Sequence, residues 1–473
     1  VNLRLARPLQ RPRSLLVDAW AQRRSRLLAL VALTGLVGGA VGAAFLGALR
    51  LVADGIGPDR WSPVAHGAIL VAVGVVVAVL TRVLGNPGNV ELLVDNIHVS
   101  GGPDDIRSLR SLIPQALLCV GAGGPLGPEA PLVTATGSLA SWLGLRSRLD
   151  RDDLRIVTIT GMAAGFTVLF AAPLGAALFA LEILHRRGLE YYEAILPAAI
   201  GSLCGYALST LITGLGLAPM WAFPAPTRLR PADLAYGLAA GVVGAAIAAG
   251  FTYLTIGFRA VAGRLPTASQ PVVGGAVLAL LAVVTPYALT NGETDIDHLT
   301  DRRVVVATLL LAALGKLVAS AVAMATGWRG GFIIPLFFAG FCLGRATEGH
   351  LPGGSSWALA AALMVAINVG VTKTPFGSTL VVTEMAGMTL LPTTLLAAIV
   401  SLALSSPLAL IDSQRRRLGP AEDERERALD ADGFDDDAGV GAGGRPVGAE
   451  DPGQAGRSPR PPSPEGDEEL ALP

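Results

Sequence analysis

The residues of this chain that could do chemistry are few, and they stand inside apolar sequence. Two breaks rich in glycine and proline each precede a hydrophobic run: Gly123-Gly124-Pro125-Leu126-Gly127-Pro128-Glu129-Ala130-Pro131 and Gly327-Trp328-Arg329-Gly330-Gly331-Phe332-Ile333-Ile334-Pro335. A third, Gly85-Asn86-Pro87-Gly88, comes earlier. Glycine lets a backbone turn sharply or approach an ion closely, and proline is tolerated in the first turn of a helix. A helix starting at such a break points free N–H groups and the positive end of its dipole at whatever lies ahead, which favours an anion. The chemistry implied is coordination of a small anion by backbone amides, with no full positive charge placed in a bilayer. Glycine and proline are also common in membrane helices, so one break would mean little. Paired breaks in both halves favour the binding reading.

A second repeat accompanies the breaks. Pro173-Leu174-Gly175-Ala176-Ala177-Leu178-Phe179-Ala180-Leu181-Glu182 and Pro375-Phe376-Gly377-Ser378-Thr379-Leu380-Val381-Val382-Thr383-Glu384 carry Pro, Gly, Leu and Glu at identical offsets. Ionisable residues within apolar spans are expensive, and polytopic transporters are often built from duplicated halves with discontinuous helices facing a midplane site. Glu182 and Glu384 are expected to be structural, closing hydrogen bonds at helix ends within each repeat. Lys316 and Lys373, the only lysines, interrupt apolar stretches. They either raise the local anion concentration or snorkel and cap helix ends. Lys373 is the better electrostatic candidate because it stands just before Pro375.

These residues must be positioned by membrane helices. Of the 473 residues, 52% are hydrophobic and only 15% charged, with a mean hydropathy of +0.55; a soluble domain carries about a quarter charged residues. The net charge of -1 averages opposite ends. Arginines crowd the first 26 residues, and Arg415, Arg416 and Arg417 follow the last apolar run. Such basic flanks place both termini in the cytoplasm, with an even number of crossings, and count against a nucleic-acid partner. The first apolar run is too long for a signal peptide.

Runs of spanning length cover Leu27–Ala53, Val64–Leu84, Ile195–Leu217, Leu234–Ile256, Pro271–Leu289 and Val304–Ala325. Shorter pieces bounded by Gly or Pro cover Leu112–Gly123, Leu132–Leu143, Ile156–Phe170, Pro173–Leu184, Phe332–Leu343, Ala358–Val371, Phe376–Met388 and Leu391–Leu410. Irregular backbone at membrane depth is tolerated only where protein buries it or it lines a watery path. The chain therefore divides into a basic segment 1–26, a repeat 27–217, a connector 218–233, a second repeat 234–412 and a disordered acidic tail 413–473. Trp221 in the connector is expected at the headgroup level.

The motifs resemble the CLC family of chloride channels and chloride/proton exchangers. Gly124-Pro125-Leu126-Gly127-Pro128 stands where that family carries Gly-Lys/Arg-Glu-Gly-Pro, and Gly330-Gly331-Phe332-Ile333-Ile334-Pro335 is similar to its Gly-Gly-Ile-Phe-Ala-Pro. The run from Gly161-Met162-Ala163-Ala164-Gly165 through Phe170-Ala171-Ala172-Pro173-Leu174 to Glu182 resembles its stretch ending in Glu-Glu, and Thr372-Lys373-Thr374-Pro375 through Glu384-Met385 resembles the second-half counterpart. The resemblance spans residues 25 to 415. It implies an all-α polytopic membrane protein of two inverted-topology repeats with discontinuous half-helices, a homodimer with one pathway per subunit, in a bacterial plasma membrane. It places Asn86 at the family's ion-coordinating Ser and Ile411 at its ion-coordinating Tyr.

The departures are as informative. Leu126 occupies the place of the family's gating carboxylate, and Ile183 that of the exchangers' inner proton-transfer Glu. Neither side chain can take up a proton, so passive movement of chloride or a similar small anion is the simpler expectation. Glu129 keeps the alternative open. It is either an ordinary acid stabilising its helix N-terminus or a relocated gate, occupying the anion site, swinging away on protonation and allowing proton-coupled exchange. The anion-binding candidates are thus Asn86, Gly124, Leu126, Gly127, Glu129, Gly331, Phe332, Ile333, Ile334 and Ile411, with Lys373 as an electrostatic one. Cys119, Cys204 and Cys342 form no metal-ligand or disulfide pattern, and no triad, P-loop or dinucleotide fingerprint is present. No enzyme activity, cofactor or metal is expected. The reading of another class, a membrane-embedded enzyme or non-transporting scaffold, would leave liposomes no more permeable to anions than empty vesicles.

Overall fold

The computed structural model describes residues 12–87, 106–184, 192–214, 221, 223–224, 226–300, 304–408 and 410, the side chains of 12–24 excepted. Ile411 and the acidic tail lie outside the described residues. The first half contributes α1 (Pro12–Ile56), α2 (Pro63–Leu84), α3 (Leu109–Gly121), α4 (Glu129–Arg146), α5 (Arg151–Phe170), α6 (Pro173–Glu182) and α7 (Ile195–Thr213). The second contributes α8 (Pro231–Ala262), α9 (Gln270–Val284), α10 (Glu293–Thr300), α11 (Val306–Ala325), α12 (Ile333–Arg345), α13 (Ser356–Thr372), α14 (Pro375–Ala386) and α15 (Leu391–Ser405). Among the described residues, seven helical stretches are long and apolar enough to cross a membrane, and shorter apolar helices stand between them. It is an all-α multi-spanning membrane fold with discontinuous helices.

Two elements depart from the hydropathy reading. The run expected to begin at Ile156 begins more than a turn earlier, because the Asp150 side chain caps α5 by accepting the Asp153 N–H at 2.9 Å. Its charged first turn hides those residues from a hydrophobicity count, and the resulting 20-residue helix is long enough to cross. The run expected over Pro271–Leu289 instead stops at Val284. Thr285 is extended (φ -152, ψ 125) and Pro286 follows it, a residue that cannot continue the amide ladder. Trp221 is 1% exposed, with its ring stacked on Phe223.

The two halves terminate equivalent helices in the same way. Ala171 ends α5 at φ 49 and Lys373 ends α13 at φ 61, both left-handed and neither glycine. Each is followed by one linking residue and then by the proline that opens the next half-helix, Pro173 or Pro375. The breaks match too. Gly123 and Gly327 both have positive φ, 85 and 79. The Gly124 N–H donates to Cys119 O at 2.9 Å as the Trp328 N–H donates to Ala323 O at 3.0 Å.

The repeated Pro-x-Gly…Glu pattern acquires its meaning where α6 crosses α14. A Cβ at Gly175 would come 2.5 Å from Val381 N, and one at Gly377 would come 2.5 Å from the Phe179 Cα, so both positions exclude a side chain. That closeness lets each glutamate reach the other helix's start. Glu182 accepts the N–H groups of Phe376 at 3.1 Å and Gly377 at 2.7 Å, while Glu384 accepts that of Gly175 at 3.3 Å. The two glutamates therefore close hydrogen bonds between the halves, not within each repeat. Orphan amides at a half-helix start attract any nearby carboxylate, and the crossing partner supplies the nearest one.

Candidate functional site

The first and second breaks meet backbone to backbone. Gly127 N–H donates to Gly331 O at 2.7 Å and Gly331 N–H to Gly127 O at 2.6 Å, an isolated antiparallel bridge. It sets the N-termini of α4 and α12 side by side. Ser320 Oγ donates to Pro125 O at 2.8 Å, tying the first break to α11. Thr290 N–H donates to Gly123 O at 2.8 Å, tying it to the link before α10. The buried Lys316 ammonium holds that link in turn, donating to Leu289 O and to Thr290 O, the latter at 2.8 Å, and lying 4.8 Å from the Phe338 ring centre.

Glu129, the first residue of α4, is 1% exposed and sits inside this junction. Its Oε1 accepts the Ile334 N–H at 2.7 Å, in the first turn of α12, and its Oε2 is buried without a hydrogen-bond partner. A carboxylate oxygen thus occupies an amide at the start of α12. The bridging glycines make room for it. A Cβ at Gly331 would come 2.6 Å from Oε2, and one at Gly127 would collide with the same atom. A buried carboxylate oxygen without a partner is costly in its charged form.

Around it, Leu126 is 2% exposed within an apolar cluster that includes Cys119, Leu278 and Trp328, and Gly124 is closed in by Cys119 O and the Trp328 ring. Ile333 O accepts from the Asn368 amide at 3.2 Å. Phe332 is half-buried, its ring 6.4 Å from that of Phe251. Asn86 is exposed just past the end of α2. Lys373 turns its ammonium to Ser405 O at 2.6 Å, Ser405 Oγ at 2.9 Å and Gly370 O at 2.5 Å, where it caps carbonyls at the ends of α13 and α15.

Sequence reasoning missed three contributors. Asn368 is a lone amide in an apolar run, a signal that was available. It is fully buried, its Oδ1 accepting from Thr372 Oγ1 at 3.0 Å and Ser378 Oγ at 3.3 Å. Ser320 carried no signal. Glu293 lay in a polar stretch with no periodicity, yet it lines a cavity beside Pro128 and acts coulombically on Glu129.

Comparison with known proteins adds four findings. The family profile described as "Voltage gated chloride channel" matches residues 89–406. A "Chloride/fluoride channel protein" of Pseudomonas syringae pv. tomato is 30% identical over 416 residues, covering 83% of this chain and 86% of that protein. Among solved structures, a CLC-type fluoride/proton antiporter superposes with a TM-score of 0.73 at 23% identity, over 83% of this chain and 98% of the other. A slow cyanobacterial chloride/proton antiporter gives 0.72 at 19% identity, over 83% and 99%. At those identities the two structures speak for the fold alone.

Proposed function

Because the chain belongs to the voltage gated chloride channel family, we propose that it lets a small halide, chloride or fluoride, pass down its gradient through the junction of α4 and α12, with the Glu129 carboxylate as the gate. The observation that carries this reading is the Glu129 Oε1 bonded to the Ile334 amide, with Oε2 unpartnered. A side chain that occupies the coordinating amides competes with the transported ion. Neutralising it by a proton removes its attraction to the α12 N-terminus and frees the site. Leu126 and Ile183 have nothing to protonate, which supports passive flow over coupled exchange. The family resemblance further supports a homodimer in a bacterial plasma membrane with both termini cytoplasmic.

A second reading, proton-coupled exchange through Glu129, is favoured by one fact: the group in the site is titratable. Ion-selective electrode measurement of chloride and fluoride efflux from liposomes, with and without a pH gradient, separates the two. Wild-type efflux is expected to rise as pH falls, while Glu129→Gln flows freely at every pH. Proton movement driven uphill by the halide would replace the passive reading with exchange. An unchanged rate and pH profile in Glu129→Gln would remove Glu129 as the gate.

A further inference from the structure

A cavity of about 580 Å³ opens beside the first break. One wall is the end of α1 with Arg50 and Asp54, continued by Asp59 and Arg60 of the turn that follows it. The opposite wall is the start of α10 with Asn291 and Glu293, and Gly123 and Pro128 lie between them. Pro128 is the residue that caps α4, so this cavity reaches the base of the proposed gate. Glu293 is held in place there. Its Oε2 accepts from the Asn291 side-chain amide at 3.3 Å, and its own N–H donates back to Asn291 Oδ1 at 3.1 Å. From this position it acts coulombically on Glu129, and Arg50 across the cavity acts on it.

We propose that Glu293 is a second titratable element of the pathway, an electrostatic barrier at this mouth that acid on the cavity face lowers. Ionised, it repels an anion entering from the cavity and opposes any movement of the Glu129 carboxylate toward the opening. Protonated, it does neither. Low-dielectric walls focus such a charge on the passing ion. The inference rests on the reading of Glu129 as the gate and adds to it a side: one face of the membrane controls entry.

The neighbouring charges set the terms of that control. On α10 itself Asp297 adds like charge, and Asp295 faces Lys316 of α11 and the Cys342 thiol of α12. His66 of α2 faces Asp59 and binds Ala122 O through Nε2 at 2.8 Å. Among these groups Arg50 is the cation that acts on Glu293. Burial, the largest influence, pushes the Glu293 carboxyl above the ordinary carboxylate range, while Asn291 and Arg50 pull it back. Its proton is therefore taken up in milder acid than an exposed glutamate would need, and lost as pH rises through that raised value.

The test is anion current across a planar bilayer holding the purified full chain, with pH varied on one face at a time. Wild-type current is expected to grow on the order of tenfold when the cavity face alone is acidified, the scale of removing one nearby unit charge. Glu293→Gln, which keeps the hydrogen bond to Asn291, is expected to carry the larger current already at neutral pH and to lose that one-sided response. Glu293→Asp is expected to keep it. A Glu293→Gln protein that keeps the wild-type response on the cavity face overturns the inference. Glu129→Gln is measured beside it: if that variant too is unchanged, the gate reading fails, and if only Glu293→Gln is unchanged, the gate stands without its second carboxylate.

Discussion

Two crossings in this molecule place a glutamate at the start of a half-helix from the other half, and they are built differently. Where α6 meets α14 the arrangement is reciprocal: Glu182 takes two amides of α14 and Glu384 takes one of α6. Where α4 meets α12 it is one-sided. Glu129 takes one amide, and the equivalent first residue of α12 is Ile333, which returns no carboxylate. The bare Oε2 of Glu129 is no distinction, since Glu384 Oε2 is also buried without a hydrogen-bond partner. The reciprocal crossing binds the halves together. The one-sided crossing leaves α12 with a single carboxylate at its start, the group proposed above to give way to an anion, and it stands beside a cavity. In the proposed reading, the same electrostatic preference serves as a clasp in one place and as a gate in the other.

The widest separation between the two crossings is expected in transport. Glu129→Ala should raise halide efflux at neutral pH by about tenfold or more and flatten its pH profile, the scale of losing one or two kilocalories of blocking interaction. Glu182→Ala should leave the profile's shape intact; a flattened profile there would dissolve the distinction. Stability should separate them in the opposite sense. Glu182→Ala strands two amide donors and should cost about 2–4 kcal/mol, read as a lowered melting temperature in detergent. Glu384→Ala, with one longer bond, should cost about half as much.

A narrower comparison comes from Gly331→Ala. Its Cβ would press on Glu129 Oε2 at 2.6 Å, the end of a flexible side chain. The carboxylate should be displaced, and efflux should move part of the way toward Glu129→Ala, roughly threefold; no change would mean Oε2 does not rest there. The smallest effect is the one Glu293 has on stability. Because burial raises its carboxyl, the protonated form is favoured in the folded state. Its contribution to stability is full below the unfolded value and is lost as pH rises through the raised one. Glu293→Gln should therefore melt about 2–4 °C higher than wild type in mild alkali, the gap closing as the solution is acidified through the carboxylate range.

Much of the fold was legible. The repeated Pro-x-Gly…Glu segments start half-helices at the expected prolines, and the two Gly/Pro breaks open α4 and α12. What misled were charges near helix starts, as at Arg151–Arg155, and a proline inside an apolar run, as at Pro286, because hydropathy averages over both. For the site, the residue types carried the chemistry of amide coordination, but the partner of each carboxylate did not show. Glu182 and Glu384 looked like caps within their own repeats because chain proximity is all that a sequence displays.

Glycine and proline placement, apolar run length and the spacing of the two copies determined by themselves that this chain would form broken membrane helices with free amides at their starts, since those are local backbone properties. Which carboxylate each set of amides would receive was decided only by the tertiary structure. Glu129 meets Ile334 across 205 positions of chain, and a hydrogen bond of that kind depends on how closely two glycine-faced backbones can approach. That is a matter of packing, which no local stretch of sequence contains.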